Sequence, residues 1–393
     1  MKILLKYILA FTIPLLWLLG CKDTAYPDDD AEFLLVEATG VAVSDINKVR
    51  PMPDGSMLVP LKTADSVVYV AKIHSNGSTT YSDSLPKDLL PSEVVVSDNL
   101  IVSPSGECLV VNDLKGYGEY AVSKLDASGC LVFYDKISTN HRHAIVTMLD
   151  NGDIAYFNSA MMGSDENTPF KMGIVGNNFK YTINSTTTYD AVVAFDGILV
   201  AYSQISTENS DYLLFRPDGT VTGGGTFDVG TVSKVQYIGG YLYFLLHAMD
   251  FDLEDLSSYE SYYVAKMDLY GNLLYCEKID ANDVTGNFTV QDGKLITTGK
   301  TIIDEEKNTN CGAVFVIDDH NGKLLSTVPM DYLGCVVLPL YVTPCKDGGY
   351  CVYAVRREHF DETTSGKGVN STKEGGMLYI YRAEQLIELN INK

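Results

Sequence analysis

Residues Val122–Ile137 read VSKLDASGCLVFYDKI, and Val264–Ile279 read VAKMDLYGNLLYCEKI. Val, Lys, Asp, Gly, Leu, Lys and Ile fall at the same offsets in both. Each stretch is two β-prone runs around a Gly-containing turn, which is a hairpin signal. Weaker copies surround Asn76-Gly77, Asp218-Gly219 and Asn321-Gly322. One supersecondary unit used repeatedly along a chain marks a repeat architecture.

Working outward from these hairpins, a double punctuation runs along the chain. First turns stand at Asp54-Gly55, Ser105-Gly106, Asn151-Gly152, Asp196-Gly197, Gly239-Gly240, Asp292-Gly293 and Asp347-Gly348, spaced 43–55 residues apart. A second turn follows each, from Asn76-Gly77 to Asn321-Gly322, with a poorer one near Glu384. Asn-Gly and Asp-Gly supply the positive φ that tight hairpins need. The runs after the first turns, such as Cys108–Val111, Ile198–Tyr202, Leu242–Leu246 and Tyr350–Val355, are continuously apolar. Such runs suit strands buried on both faces. The pattern predicts an all-β chain folded as a β-propeller of seven four-stranded blades. Either Glu32–Ala38 or Leu386–Asn392 would close the ring, and the first is the expected partner of the final blade.

The N-terminus carries Lys2 and Lys6 and then an apolar run from Ile8 to Leu19, the layout of a secretory signal. It ends in Leu18-Leu19-Gly20-Cys21, which resembles the lipobox of bacterial lipoproteins; the resemblance implies lipidation at Cys21. The acidic stretch that follows, with Asp28-Asp29-Asp30, resembles the surface-export signal of Bacteroidota lipoproteins. The expected organisation is a signal peptide over 1–20, an acidic tether over 21–31 and a propeller domain over 32–393. The expected location is the outer membrane, exposed at the cell surface, with a periplasm-facing anchor as the alternative.

Turn spacing and the hairpins Lys124–Gly129 and Lys266–Gly271 resemble the quinoprotein-like and WD40-like propellers of Bacteroidota lipoproteins. The chain departs from both, because its one Trp is Trp17 in the leader and it lacks Gly-His and Trp-Asp pairs. The resemblance therefore implies a fold and no cofactor. A formal charge of −22 argues against a nucleic-acid partner, whose phosphates demand a basic surface. The same acidity serves solubility.

The short Gly turns should share one face of the disc. The opposite face should carry long irregular loops at Met161–Phe170, Met249–Ser261, Ile303–Asn310 and Arg356–Gly375. Binding residues concentrate on loops held by rigid scaffolds. The candidates there are His141, Arg142, His143, Asp190, Lys234, His247, Asp250, Asp252, Tyr259, Tyr262, Arg356 and Arg357. His141 and His143 point the same way on a strand, which suits Zn or Cu, but spacing fixes no third ligand and no metal is expected. Asp250-Phe251-Asp252 lacks the Gly and register of a calcium loop and reads as a solvated acidic loop. No catalytic motif stands out.

Three readings follow. The first is a binding or scaffold module for a protein, peptide or glycan. The second is an enzyme acting on polysaccharide or peptide at an axial pocket, through His141, His143 and His247. The third is a structural subunit of an envelope complex. Beyond Cys21, Cys345 and Cys351 flank the Asp347-Gly348 turn and are placed to form a disulfide, and Cys108 with Cys130 is a second, weaker pair. The sequons at Asn184, Asn287 and Asn370 carry no weight in a bacterial lipoprotein.

Overall fold

The structure, a computed structural model, describes residues 34–383 except 44–48, 53, 63–67, 86–98, 104, 114–118, 139–143, 159–169, 176, 184–188, 190, 204–208, 253–256, 286, 305–308, 331–334, 345–348 and 359–375. The leader, Cys21 and the tether lie outside the described residues. All described regular elements are strands, paired antiparallel into sequential sheets. Six sheets have four strands, and the one spanning residues 283–330 has five. The expectation of seven four-stranded blades is thus corrected to six four-stranded blades, the remaining sheet having five strands. In the five-stranded sheet the inner edge breaks into two short pieces, Asp283–Val284 and Thr289–Gln291, both paired with Lys294–Asp304.

Closure follows the favoured expectation. Leu34–Val43 pairs antiparallel with Gly376–Ala383 as the outer strand of the last sheet. Residues 384–393 lie outside the described residues.

Burial explains why the second strands are continuously apolar. Successive side chains on a strand face opposite ways, and here both ways lead into a core. Cys108 and Val110 pack on the first sheet, in a cluster with Leu58 and Val70. Leu109 and Val111 pack on the third, with Val146 and Ile154. Likewise Leu242, Phe244 and Leu246 face the fourth sheet, while Tyr243 and Leu245 face the sixth. An apolar cluster fills every junction between neighbouring sheets, including that between the last sheet and the first, where Tyr353 meets Met57 and Val59. Each such fully buried large side chain contributes roughly 1.5–3 kcal/mol from removal from water.

The repeated hairpin has a local cause. In the turn after Lys124-Leu125, the Asp126 carboxylate accepts from the amides of Ser128 and Cys130 at 2.9 Å and from the Ser128 hydroxyl at 2.6 Å. The Ser128 hydroxyl, then the Cys130 amide, hold this carboxyl below its ordinary range. Gly129 turns the chain at φ 88°, a left-handed value that glycine takes freely. Asp268, Asn272 and Gly271 repeat the arrangement, with φ 89° at the glycine.

The motif's lysine ties neighbouring sheets together. Lys266 donates to Asp319 Oδ2 at 2.7 Å and to the Asp319 carbonyl at 3.1 Å, both on the next sheet, and its ammonium lies 4.4 Å from the Tyr241 ring centre. Tyr243 donates to the other Asp319 oxygen at 2.7 Å. Lys124 reaches the Gly152 carbonyl of the third sheet at 3.2 Å while pairing with Glu107 of its own at 2.9 Å. The Tyr353 hydroxyl donates to the Gly55 carbonyl at 3.1 Å, tying the last sheet to the first.

Two loop expectations are corrected. Met249–Ser261 is not an irregular loop: Tyr241–Asp252 and Ser257–Asp268 pair continuously from Tyr241↔Asp268 to Asp252↔Ser257. In Ile303–Asn310 the described residues 303–304 and 309–310 are strand, paired within Lys294–Asp304 and Thr309–Asp318, and 305–308 lie outside the described residues. Backbone pairing satisfies these segments' polar groups despite their acidic composition. Arg356 and Arg357 lie in the strand Tyr350–Glu358, opposite Val337 and Val336, rather than at the start of a loop. The Cys108–Cys130 bridge is corrected as well. Both are free thiols, Cys108 in the core and Cys130 exposed at a turn. Burial pushes the Cys108 thiol up to about 12. Cys351 is buried, and the proposed bridge to Cys345 falls outside the described residues.

The Lys266–Asp319 pair is nearly dry, so removing one partner strands a buried charge. Lys266→Met should lower the unfolding free energy by about 3 kcal/mol. Lys72→Met, at the more exposed pair with Asp54, should cost less than about 1 kcal/mol. Urea denaturation followed by tyrosine fluorescence measures both.

Candidate functional site

The innermost strands surround an axial cavity of about 780 Å³. Every sheet contributes to its wall, from Arg50 in the first to Leu340 in the last. Val, Ile, Leu and Ala supply most of the lining residues, and polar and apolar surface share the wall about evenly. Among the described residues the charged groups in the wall are Arg50, Lys234 and Asp283. Asp283 is already paired with Lys300 at 2.8 Å.

Lys234 lies in the inner strand Thr231–Ile238, directly after a register shift between Val232 and Lys234. Such a bulge inserts an extra residue and re-aims its neighbours. Both Ser233 and Lys234 consequently line the cavity. The Lys234 ammonium donates to Asn287 Oδ1 at 2.6 Å and to the Thr285 carbonyl at 3.3 Å. Asn287 is itself anchored, donating to the Leu340 carbonyl at 2.7 Å. Gln236 accepts from the Phe288 amide at 2.5 Å, fixing the same segment. Lys234 therefore rests on a relay crossing from the fifth sheet to the sixth and the seventh.

Burial lowers the Lys234 ammonium to about 7, and repulsion from Arg50 adds to the effect. The Tyr202 hydroxyl, also in the wall, is pushed up to about 12 by burial, with Arg50 pulling the other way. Arg50 itself donates to the Val49 carbonyl at 3.0 Å.

Among the sequence candidates, Lys234 lines this cavity. His247 instead lies on the second strand of the fifth sheet, opposite Tyr262 in register. Their rings stack with centres 5.0 Å apart. The Tyr262 hydroxyl donates to Glu260 at 3.0 Å, and His247 Nε2 is 3.7 Å from the same carboxylate oxygen. The structure thus brings His247 and Tyr262 together, beside Glu260 and one strand outward from the cavity wall. Asp250 and Asp252 follow on the same strand, opposite Tyr259 and Ser257. His141, Arg142, His143 and Asp190 lie outside the described residues, so the proposed grouping of His141 and His143 with His247 does too. Among the described residues no group of three or more His, Cys, Asp and Glu is arranged to hold a metal ion.

Sequence reasoning missed Arg50 and Asn287. Arg50 sits four residues before the first-turn Asp54, and Asn287 stands out in the sequence only as part of a sequon. A cation within an inner-strand segment, as at Lys234, was the available signal for Arg50.

No family model matches the chain, and no curated protein matches it. Solved structures with a similar backbone include an uncharacterized protein from Listeria monocytogenes EGD-e, at 11% identity and TM-score 0.46 over 85% of this chain and 100% of that one. BamB from Moraxella catarrhalis aligns at 11% identity and TM-score 0.42 over 89% of this chain and 99% of its own. Kluyveromyces lactis Hsv2 aligns at 10% identity and TM-score 0.44 over 85% and 96%. At these identities and scores no function passes from them to this chain.

The lowered ammonium of Lys234 has a stability consequence. Below pH 7 the folded and unfolded chains both hold this proton, and the penalty of a buried charge is fully present. Between about 7 and the ordinary lysine value the folded chain has released it and the unfolded chain has not, so stability rises with pH. The urea midpoint should therefore increase between pH 6.5 and pH 9. In Lys234→Met that increase should shrink, with the variant gaining most at the acidic end.

Proposed function

We propose that the protein is a lipid-anchored binding or scaffold propeller of the cell envelope, which presents its long-connection face to a protein, peptide or glycan. A β-propeller ring is consistent with a binding or scaffold role. The observation that carries the reading is an arm on the fifth sheet. The inner strand of that sheet ends at Thr231, opposite His247, and the outer strand ends at Ile279, opposite Tyr262. The pairing of residues 248–252 with 257–261 continues past both. A two-stranded projection on a closed ring supplies contact surface without loosening the sheet beneath it.

The opposite face suits the role less well. Its short turns are fixed by their own capping carboxylates and by bonds between sheets. The envelope location rests on the N-terminal segment, where the apolar run ends at Cys21. Among the described residues no helix is long and apolar enough to cross a membrane. In this reading the anchor is a lipid on Cys21, and the acidic tether holds the ring clear of the headgroups.

Two measurements test the reading. Protease added to intact cells should remove the protein, as detected by blotting; full protection would place the ring in the periplasm. Replacing residues 249–260 by a short Gly-Ser turn should abolish chemical cross-linking to the partners that wild type captures in intact cells, while the urea midpoint falls little. Unchanged cross-links from the shortened protein would rule out the arm as the docking element.

A further inference from the structure

We propose that the ring hangs from its lipid by the turn face, so that the arm on the fifth sheet projects away from the anchoring membrane, towards a partner in the surrounding water. This inference rests on the lipid-anchored reading above and adds the direction in which the docking element points.

Strand direction is the first argument. In the last sheet Pro344 and Tyr350 face each other across the first turn. Tyr350 pairs in turn with Ala383, and the adjacent Arg382 pairs with Leu34. Leu34 therefore lies at the turn end of the outermost strand, and Val43, opposite Gly376, at the other end. The chain coming from Cys21 thus joins the ring at its turn face and rim. In the fifth sheet the order of the two ends is equally plain. Tyr241 and Asp268 stand at the turn end of the central pair, and Asp252 and Ser257 at the tip of the arm. Bonds between neighbouring turn ends, such as Lys266 to Asp319 and Tyr353 to Gly55, set these ends on one face. The arm consequently lies on the face opposite the point of attachment.

Length is the second argument. The twelve residues from Lys22 to Phe33 span at most about 43 Å when fully extended. The strand Tyr241–Asp252 has 12 residues, so the turn end of the fifth sheet and the tip of the arm are about 36 Å apart. To lay the arm against the bilayer, the tether would have to run back along the depth of the ring, almost taut. Stretching a chain that far removes most of its conformations and costs free energy. Hanging from the turn end leaves the tether slack. A partner embedded beside the anchor would then lie on the wrong side of the ring, and one approaching through water would meet the arm directly.

The test uses the lipidated protein reconstituted in phosphatidylcholine vesicles that carry a headgroup-linked energy acceptor. A donor dye is attached through a clickable amino acid placed at Tyr270, in the second turn of the fifth sheet, or at Met249, where the arm leaves the sheet. Both side chains are exposed. Energy transfer should be at least twofold more efficient from position 270 than from position 249. A Gly-Ser insertion after Asp30 that doubles the tether should shrink this difference. Equal transfer from the two positions, stronger transfer from position 249, or a difference untouched by the longer tether would overturn the proposal. Cys21→Ser distinguishes this failure from failure of the anchor itself. That variant should no longer float with the vesicles; if it floats like wild type, or if wild type does not float, the lipid reading falls and takes the proposal with it. Partners cross-linked through position 249 in intact cells should be extracted by alkaline carbonate. A cross-linked partner that stays in the bilayer would also sink the proposal.

Discussion

The structure depends on strands that have no solvent face. The second strand of each sheet alternates its side chains between two neighbouring sheets, so a single residue sequence must satisfy two separate packing surfaces. Ile198, Val200 and Tyr202 meet the fifth sheet, while Leu199 and Ala201 meet the third. A slip of one residue would exchange these two sets. Glycine appears where sheets approach most closely. At Gly312 of the sixth sheet an added Cβ would lie 2.3 Å from the Val337 carbonyl oxygen of the last sheet, so no larger residue fits.

This constraint separates the two faces of the ring. On one, hairpins turn within a few residues, and Asp126 or Asp268 captures the amides that the turn leaves free. Their lysines and tyrosines reach across to the next sheet. A face held by so many short-range bonds has little freedom to adapt to a ligand. On the other face, strand pairs run on past the sheet, as residues 248–252 and 257–261 do. Pairing alone supports them there, since neither flanking strand extends as far. Rigidity in one place thus permits elaboration in the other.

How much of this was legible in the sequence follows from the range of each interaction. The hairpins were legible because their causes are local: Asp126, Ser128 and Gly129 make the turn with their own backbone. The doubly buried strands were legible because burial on both faces leaves a continuous apolar run. The arm was not, because Asp250 and Asp252 read as solvated, and strand pairing between residues 248–252 and 257–261 overrode composition. The bulge at Ser233 left no mark on the alternation around it. Lys234 was legible as a polar residue at an inner strand, but its partners were not. Asn287 and Leu340 are 53 and 106 positions away, and only closure of the ring brings them to it.

The same closure explains how a buried lysine is held in so acidic a chain. Among the described residues, Asp126, Asp218, Asp268 and Asp318 stand at turns, where water screens their charge. Inner strands face a confined space in which burial leaves the Lys234 charge poorly solvated, and an unneeded cation there would be a net cost. Replacing Lys234 by an apolar residue would remove that cost. The strand would lose only bonds to Asn287 and Thr285, groups that neighbouring polar atoms or water are able to satisfy. Packing alone therefore gives no reason for a lysine at the bulge beside Arg50. Its bonds to Asn287 and Thr285 do, since they tie the inner strand of the fifth sheet to the sixth.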